Sequence, residues 1–386
     1  MKHTIATRME QVAPFHVMKL LARAKELEAE GRIIVHMEIG EPDFDTPPPI
    51  VMAGIDALDM GHTHYTSALG LDELRAAIAN YYQMNDGADV NKNNIVVTPG
   101  SSSALQLVCA ALVNPGDEVI LTDPGYPCNK QFVQITGGIP TFIQLQEEKN
   151  YVVTLDDVKA KWTDKTKAVM LASPSNPTGV LVNTATLDEI ANFAREQNGY
   201  LILDEIYHSL VYDCDVKSFA GRHENVFIIN SFSKYFCMTG WRLGWLVAPE
   251  AFIDSIDRLA QNIFLAAPTV AQYAALDAFK PATIEILESY RKEFKERRDY
   301  LYHALGKLGF GMKGKPEGAF YLYANSAKFS NDSFQLAQDL LENAGVAITP
   351  GIDFGEHLAN EHVRFAYTRS IDQLELGVSR LAEFLS

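Results

Sequence analysis

Tyr200-Leu201-Ile202-Leu203-Asp204-Glu205 is apolar for four residues and then acidic for two. A run with no polar face belongs to a strand covered on both sides, as in a parallel sheet packed between helices. The pattern recurs outward in both directions, at Ile95-Val96-Val97-Thr98, Glu118-Val119-Ile120-Leu121, Ala168-Val169-Met170-Leu171, Val226-Phe227-Ile228-Ile229 and Leu243-Gly244-Trp245-Leu246-Val247. Helical patterns separate these runs, and Thr186-Leu187-Asp188-Glu189 reads as the capping box of one such helix. The fold class is therefore α/β, with a mostly parallel central sheet covered by helices. Polar residues just past its strands are the first places to look for chemistry.

Upstream, Leu20, Ala24 and Leu27 share one face of a helix over residues 18–30, and Gly31 follows as a stop signal. Ile33-Ile34-Val35 reads as a short strand. The prolines of Gly40-Glu41-Pro42-Asp43-Phe44-Asp45-Thr46-Pro47-Pro48-Pro49 argue against helix and central strand alike, leaving an ordered loop. Downstream of about residue 250 the pattern turns helical, and the charged run Glu288–Asp299 reads as a solvated face. Gly318–Tyr323 and Val363–Tyr367 return to strand pattern, which suggests a smaller α+β unit. The expected division is residues 1–44 as N-terminal arm and part of a small domain, 45–280 as a large ligand-binding domain, and 281–386 as a C-terminal small domain.

A chain of 386 residues with 47% hydrophobic content exceeds one compact core, so two domains are expected. Its 49 acidic against 33 basic side chains leave a formal charge of -16, which argues against nucleic acid or an anionic membrane as partner. Cys109, Cys128, Cys214 and Cys237 are scattered, without the short spacing of a zinc site or redox pair, so no metal site and a reduced, cytoplasmic setting are expected. The first residues carry no apolar run behind their charges, and no stretch reaches about 18 apolar residues. Neither a signal peptide nor a membrane span is read.

Asp204 ends a strand, where an acid costs free energy unless a cation meets it. A protonated pyridine nitrogen would be such a cation; a cap on the following helix is the plainer use. Tyr207 could then reach a phenolate on the same ring. Ser231-Phe232-Ser233-Lys234 also follows an apolar strand, with Arg242 close behind. A lysine forming a Schiff base must be desolvated and held near cations to titrate usefully, while serine hydroxyls and a guanidinium fork suit a phosphate. Pro99-Gly100-Ser101-Ser102-Ser103 opens an apolar helix whose first amides can hold phosphate, although it is not a dinucleotide fingerprint. Asn176, in the turn Ser173-Pro174-Ser175-Asn176-Pro177-Thr178-Gly179, could donate to a ring oxygen. Arg364, in a short strand, calls for an anion, either a substrate α-carboxylate or an internal acid.

Together and in this order, these pieces resemble the class I/II aminotransferases, pyridoxal-phosphate enzymes of fold type I. The resemblance runs from Gly40-Glu41-Pro42-Asp43-Phe44 through Tyr65-Thr66-Ser67-Ala68-Leu69-Gly70 to Arg364 and so covers nearly the whole chain. It implies pyridoxal 5'-phosphate held by Lys234 as a Schiff base, with Lys234 also shuttling the α-proton. Asp204 is implied on the pyridine nitrogen, Tyr207 and Asn176 on the ring hydroxyl, and Tyr126, in Asp123-Pro124-Gly125-Tyr126-Pro127, stacked on the ring. Ser101, Ser102, Ser231, Ser233 and Arg242 are implied around the phosphate, joined by Tyr65 from a second subunit of a homodimer. Arg364 would hold the substrate α-carboxylate, with backbone contact from Gly40.

The implied reaction moves an amino group between an L-amino acid and a 2-oxo acid in two half-reactions. Carbon–sulfur β-lyases share the fold. Lyase-like members often carry a histidine before the Asn-Pro turn and a tryptophan after its glycine, where this chain has Ser175 and Val180, so lyase activity ranks second. A non-enzymatic regulator ranks third, because the residues before Gly40 show no DNA-binding helix pair. Serine at position 102, where some aspartate-using relatives carry a basic residue, leans toward neutral or aromatic donors, with Phe15, Phe320 and Tyr321 as an apolar lining.

Overall fold

The computed structural model describes residues 5–12 and 14–386, so Met1–Thr4 and Ala13 of the expected arm lie outside the described residues. The first strand in the chain is the two-residue β1 (Val35–His36), after a helix over His16–Ala29. The central sheet follows, built from β2 (Ile95–Thr98), β3 (Glu118–Asp123), β4 (Ile139–Gln144), β5 (Thr166–Ala172), β6 (Tyr200–Asp204), β7 (Val226–Ser231) and β8 (Gly244–Val247). Their order is β2-β8-β7-β6-β5-β3-β4. Every neighbouring pair is parallel except those made by β8, which runs against both β2 and β7. The mostly parallel α/β sheet expected from the apolar runs is present.

Alternate residues of the strands feed two separate cores, as a two-residue period demands. Leu201, Leu203, Ile228, Val169 and Ile120 pack on one side, while Ile202, Phe227, Ile229, Met170 and Val119 pack on the other. β4 is not among the strands read from sequence. It is an edge strand, its face is half exposed, and Pro140 sits within it, a position that only an edge tolerates.

Past the sheet, β9 (Tyr321–Asn325), β10 (Val346–Ala347), β11 (Thr349–Pro350) and β12 (His362–Ala366) form two small sheets. The order β11-β12-β9 is antiparallel throughout, and β10 pairs in parallel with β1. β10, which runs on into the strand beside Arg364, is thus tied to the segment that leads into Gly40.

Three local expectations are corrected. Pro48 and Pro49 do not exclude helix: they occupy the first turn of helix Pro48–Asp59, where a missing N–H has no intrahelical partner to lose. The helix expected to start with a capping box at Thr186 starts at Thr184, capped by Asn183, whose side chain accepts the Thr186 N–H. The charged run near residue 290 lies within helix Pro281–Leu308, and two of its arginines, Arg297 and Arg298, are buried. Arg297 pairs with Asp43 at 2.6 Å and lies over the Phe44 ring. It thereby anchors the loop that carries Gly40.

Candidate active site

Gly40, Ser101, Ser102, Tyr126, Asn176, Asp204, Tyr207, Ser233, Lys234, Arg242 and Arg364 line one cavity of about 400 Å³. The sheet explains the gathering. Asp204 ends β6, the Lys234 turn follows β7, Asn176 follows β5, Tyr126 follows β3, and helix Ser101–Leu112 starts after β2. All five strands run the same way, so their ends share one edge.

Lys234 Nζ donates to the Gly40 carbonyl at 2.7 Å. Burial, with Arg364 and Arg242 nearby, pulls its ammonium down to about 8, against partial opposition from Glu41 and Asp204. Asp204 is buried with the Ile206 N–H as its hydrogen-bond donor among the described residues, and burial pushes its carboxyl up to about 7. A buried acid so poorly compensated is suited to an added cation.

At one end of the cavity, helix Ser101–Leu112 opens at Gly100, which has φ 82° and no side-chain cap, so the first amides of the helix are left for another acceptor. A Cβ at Gly100 would lie 2.5 Å from the Arg242 guanidinium, so that close approach requires glycine. This combination of free amides, an arginine and the Ser233 hydroxyl fits a phosphate.

At the other end, Arg364 donates to the Asn176 side-chain oxygen (3.0 Å), the Glu38 carbonyl (2.6 Å) and Thr349 Oγ1 (3.2 Å). A guanidinium only donates, so the Asn176 oxygen is committed to it and the Asn176 amide nitrogen is left to donate elsewhere. The buried Arg364 Nε has no hydrogen-bond partner among the described residues. Its guanidinium lies between the Tyr321 ring (4.1 Å) and the Phe354 ring (4.8 Å).

Two expected residues stand apart. Ser231 is buried behind the cavity, its hydroxyl accepting the Ser233 N–H and donating to the Leu243 carbonyl. Tyr65 is 82% exposed and lines a surface depression with His64, Thr66 and Tyr273. Of the expected apolar lining, Phe15 and Tyr321 are in the cavity wall. Phe320 is not: it packs beneath, against Tyr207 and Phe294.

The structure also adds residues. The Tyr321 hydroxyl meets that of Tyr207 at 2.8 Å, and a Cβ on Gly40 would overlap it. Val17, Met18, Leu21 and Leu105 extend the apolar wall, while Asp353 and Phe354 close one side. The paired glycines of Gly351-Ile352-Asp353-Phe354-Gly355, shortly before the Arg364 strand, are the sequence signal that could have drawn attention to that loop.

A lysine near neutrality, a buried acid and a phosphate-ready helix start on one edge of a parallel sheet define a pyridoxal-phosphate enzyme of fold type I. Comparison with known proteins gives the family. Residues 32–381 match Aminotransferase class I and II, and the chain belongs to that family. It is 39% identical, over 99% of its length and 100% of the relative's, to a (5-formylfuran-3-yl)methyl phosphate transaminase of Methanocaldococcus jannaschii. It is 34% identical, over 100% of both chains, to an aspartate aminotransferase of a Bacillus species. The solved aspartate aminotransferase of Thermus thermophilus with maleate superposes with a TM-score of 0.93 at 33% identity, covering 99% of each chain. The chain is a pyridoxal-phosphate-dependent aminotransferase, acting on an amino acid and a 2-oxo acid.

Proposed function

We propose that the preferred amino donor has a neutral, apolar or aromatic side chain. One observation carries this reading. The lysines and arginines lining the cavity, among the described residues, are Lys234, Arg242 and Arg364. With Lys234 at the reacting carbon, Arg242 on the phosphate and Arg364 on the α-carboxylate, none is left for a distal carboxylate. Position 102 supplies a hydroxyl, and Phe15, Val17, Met18, Leu21 and Leu105 supply an apolar wall. A panel of amino donors with 2-oxoglutarate and with pyruvate tests this, and aspartate winning clearly would overturn it.

The roles follow from placement. When bound, pyridoxal phosphate supplies a carbonyl carbon and an electron-withdrawing ring. Asp204 would face its ring nitrogen, Asn176 and Tyr207 its ring hydroxyl, and Tyr126 its flat face. Ser101, Ser102, Ser233 and Arg242 would hold its phosphate, with Ser231 supporting Ser233 from behind. Arg364 fixes the substrate α-carboxylate, and Gly40 lies alongside. Lys234 Nζ would take the α-proton and return it two atoms along, at the carbon the cofactor supplies, a task suited to an amine whose burial draws it down to about 8.

The active form is proposed to be a cytoplasmic homodimer in which Tyr65 reaches the phosphate of the other subunit. Two features support the dimer: Tyr65 is far too exposed for a working tyrosine of its own chain, and helix Pro48–Asp59 beside it presents Val51, Met52, Ile55 and Leu58 to solvent. No helix among the described residues is long and apolar enough to cross a membrane.

A further inference from the structure

The loop Gly351–His357 touches three walls of the active site and is pinned by two carboxylates from opposite directions. Asp123, the last residue of β3, accepts the backbone N–H groups of Glu356 (2.9 Å) and His357 (3.0 Å) through one oxygen. Two residues on, the Gly125 N–H donates to the Phe354 carbonyl at 2.9 Å. The turn that carries Tyr126 is thus fastened to the loop. On the loop itself, Asp353 accepts the N–H groups of His16 and Val17, both at 2.8 Å, and so caps the helix that brings Val17, Met18 and Leu21 to the cavity. Between these two fastenings sits Phe354, whose ring packs on Arg364.

Stability alone is a poor account of Asp123. Its second oxygen is buried without a hydrogen-bond partner among the described residues, and a Cβ on Gly355 would overlap that oxygen. A buried carboxylate with an unpaired oxygen costs desolvation that a neutral acceptor would avoid. The charge strengthens both amide hydrogen bonds.

We propose that Asp123 is a positioning residue for substrate recognition: by clasping the loop to the Tyr126 turn it holds Phe354 against Arg364 and so sets the site for the α-carboxylate. This rests on the reading of Arg364 as the carboxylate holder. Asp123 is not among the residues that line the cavity, so its removal is expected to show in binding of the carboxylate before it shows in the chemical step.

The test uses holoenzyme of the wild type and of Asp123→Ala, Asp123→Asn, Gly355→Ala and Arg364→Lys. KM and kcat are measured for the best amino donor, with the dissociation constant of a non-reacting monocarboxylate read from the cofactor's absorbance. Asp123→Ala is expected to raise KM and that dissociation constant about tenfold, as loss of charge-assisted hydrogen bonds implies, with kcat changed less than about threefold. Asp123→Asn, which keeps an acceptor oxygen, should fall between. Gly355→Ala disturbs the clasp without removing the acid and should repeat the KM rise even if Asp123→Ala fails to fold. Unchanged KM in both, or kcat falling with KM unmoved, overturns the proposal. If Arg364→Lys also leaves KM unchanged, the reading of Arg364 is what failed; if it raises KM while the clasp variants do not, the clasp alone is wrong.

Discussion

Lys234 and Asp204 lie in one buried cavity and are pushed by burial in opposite directions, the ammonium down to about 8 and the carboxyl up to about 7. The consequences for the cofactor-free protein follow from which state holds the proton. Between the ordinary carboxyl value of 3.8 and about 7, folded Asp204 keeps a proton that the unfolded chain has released, so raising the pH favours unfolding. Between about 8 and 10.5 the unfolded chain keeps the Lys234 proton that the folded one has lost, so raising the pH favours folding. The melting temperature of cofactor-free wild type minus that of Asp204→Asn should therefore fall from pH 4 to 7, as read by calorimetry. The same difference against Lys234→Met should rise from pH 8 to 10.5. Flat differences would show that neither group is desolvated as described. In the holoenzyme, Lys234→Ala is expected to abolish the yellow colour and lower turnover by at least the roughly 10²–10⁴-fold associated with a positioned base. Retained colour and rate would point to a different lysine.

At the scale of elements, helix Ser101–Leu112 carries a prediction of its own. Gly100→Ala forces a side chain into left-handed backbone and against Arg242. Cofactor affinity should fall roughly tenfold or more because the Arg242 guanidinium is displaced from the phosphate, while the strain of a non-glycine residue, present with or without cofactor, lowers the melting temperature of the cofactor-free protein by a few degrees. Equilibrium dialysis against pyridoxal phosphate checks it. The same elements show what a sequence reveals. Lys234, Asp204 and Asn176 were legible because each breaks from an apolar strand into polarity at the same edge, and buried strands announce themselves. β4 was not, because an edge strand with a proline carries neither continuous apolarity nor clean alternation. Arg297 was not, because a charged run looks solvated and its partner, Asp43, is 254 residues away in the chain. The Tyr321 hydroxyl and the Asp123 clasp are tertiary juxtapositions with no local pattern at all.

For the whole molecule, the exposed face of Val51, Met52, Ile55 and Leu58 beside Tyr65 is the feature that a single chain leaves unexplained. If a second copy covers it, the wild type sediments as a dimer, and Ile55→Glu with Leu58→Glu shifts it to monomer, because burying two carboxylates unpaired outweighs the apolar contact. Sedimentation alone does not show that a partner completes the site, but mixing does. On the proposed arrangement, a Tyr65→Ala chain keeps its own Lys234 and lacks the tyrosine that it would lend, whereas a Lys234→Ala chain has lost the proposed base and would still lend Tyr65. Refolded together from equal amounts, half of the dimers are hybrids, each with one complete site out of two, so activity should recover to roughly a quarter of wild type. That recovery must exceed the sum of the two parents, so Tyr65→Ala alone has to be well below wild type for the test to read. Recovery no greater than that sum would place Tyr65 outside the site and leave the apolar face to some other partner.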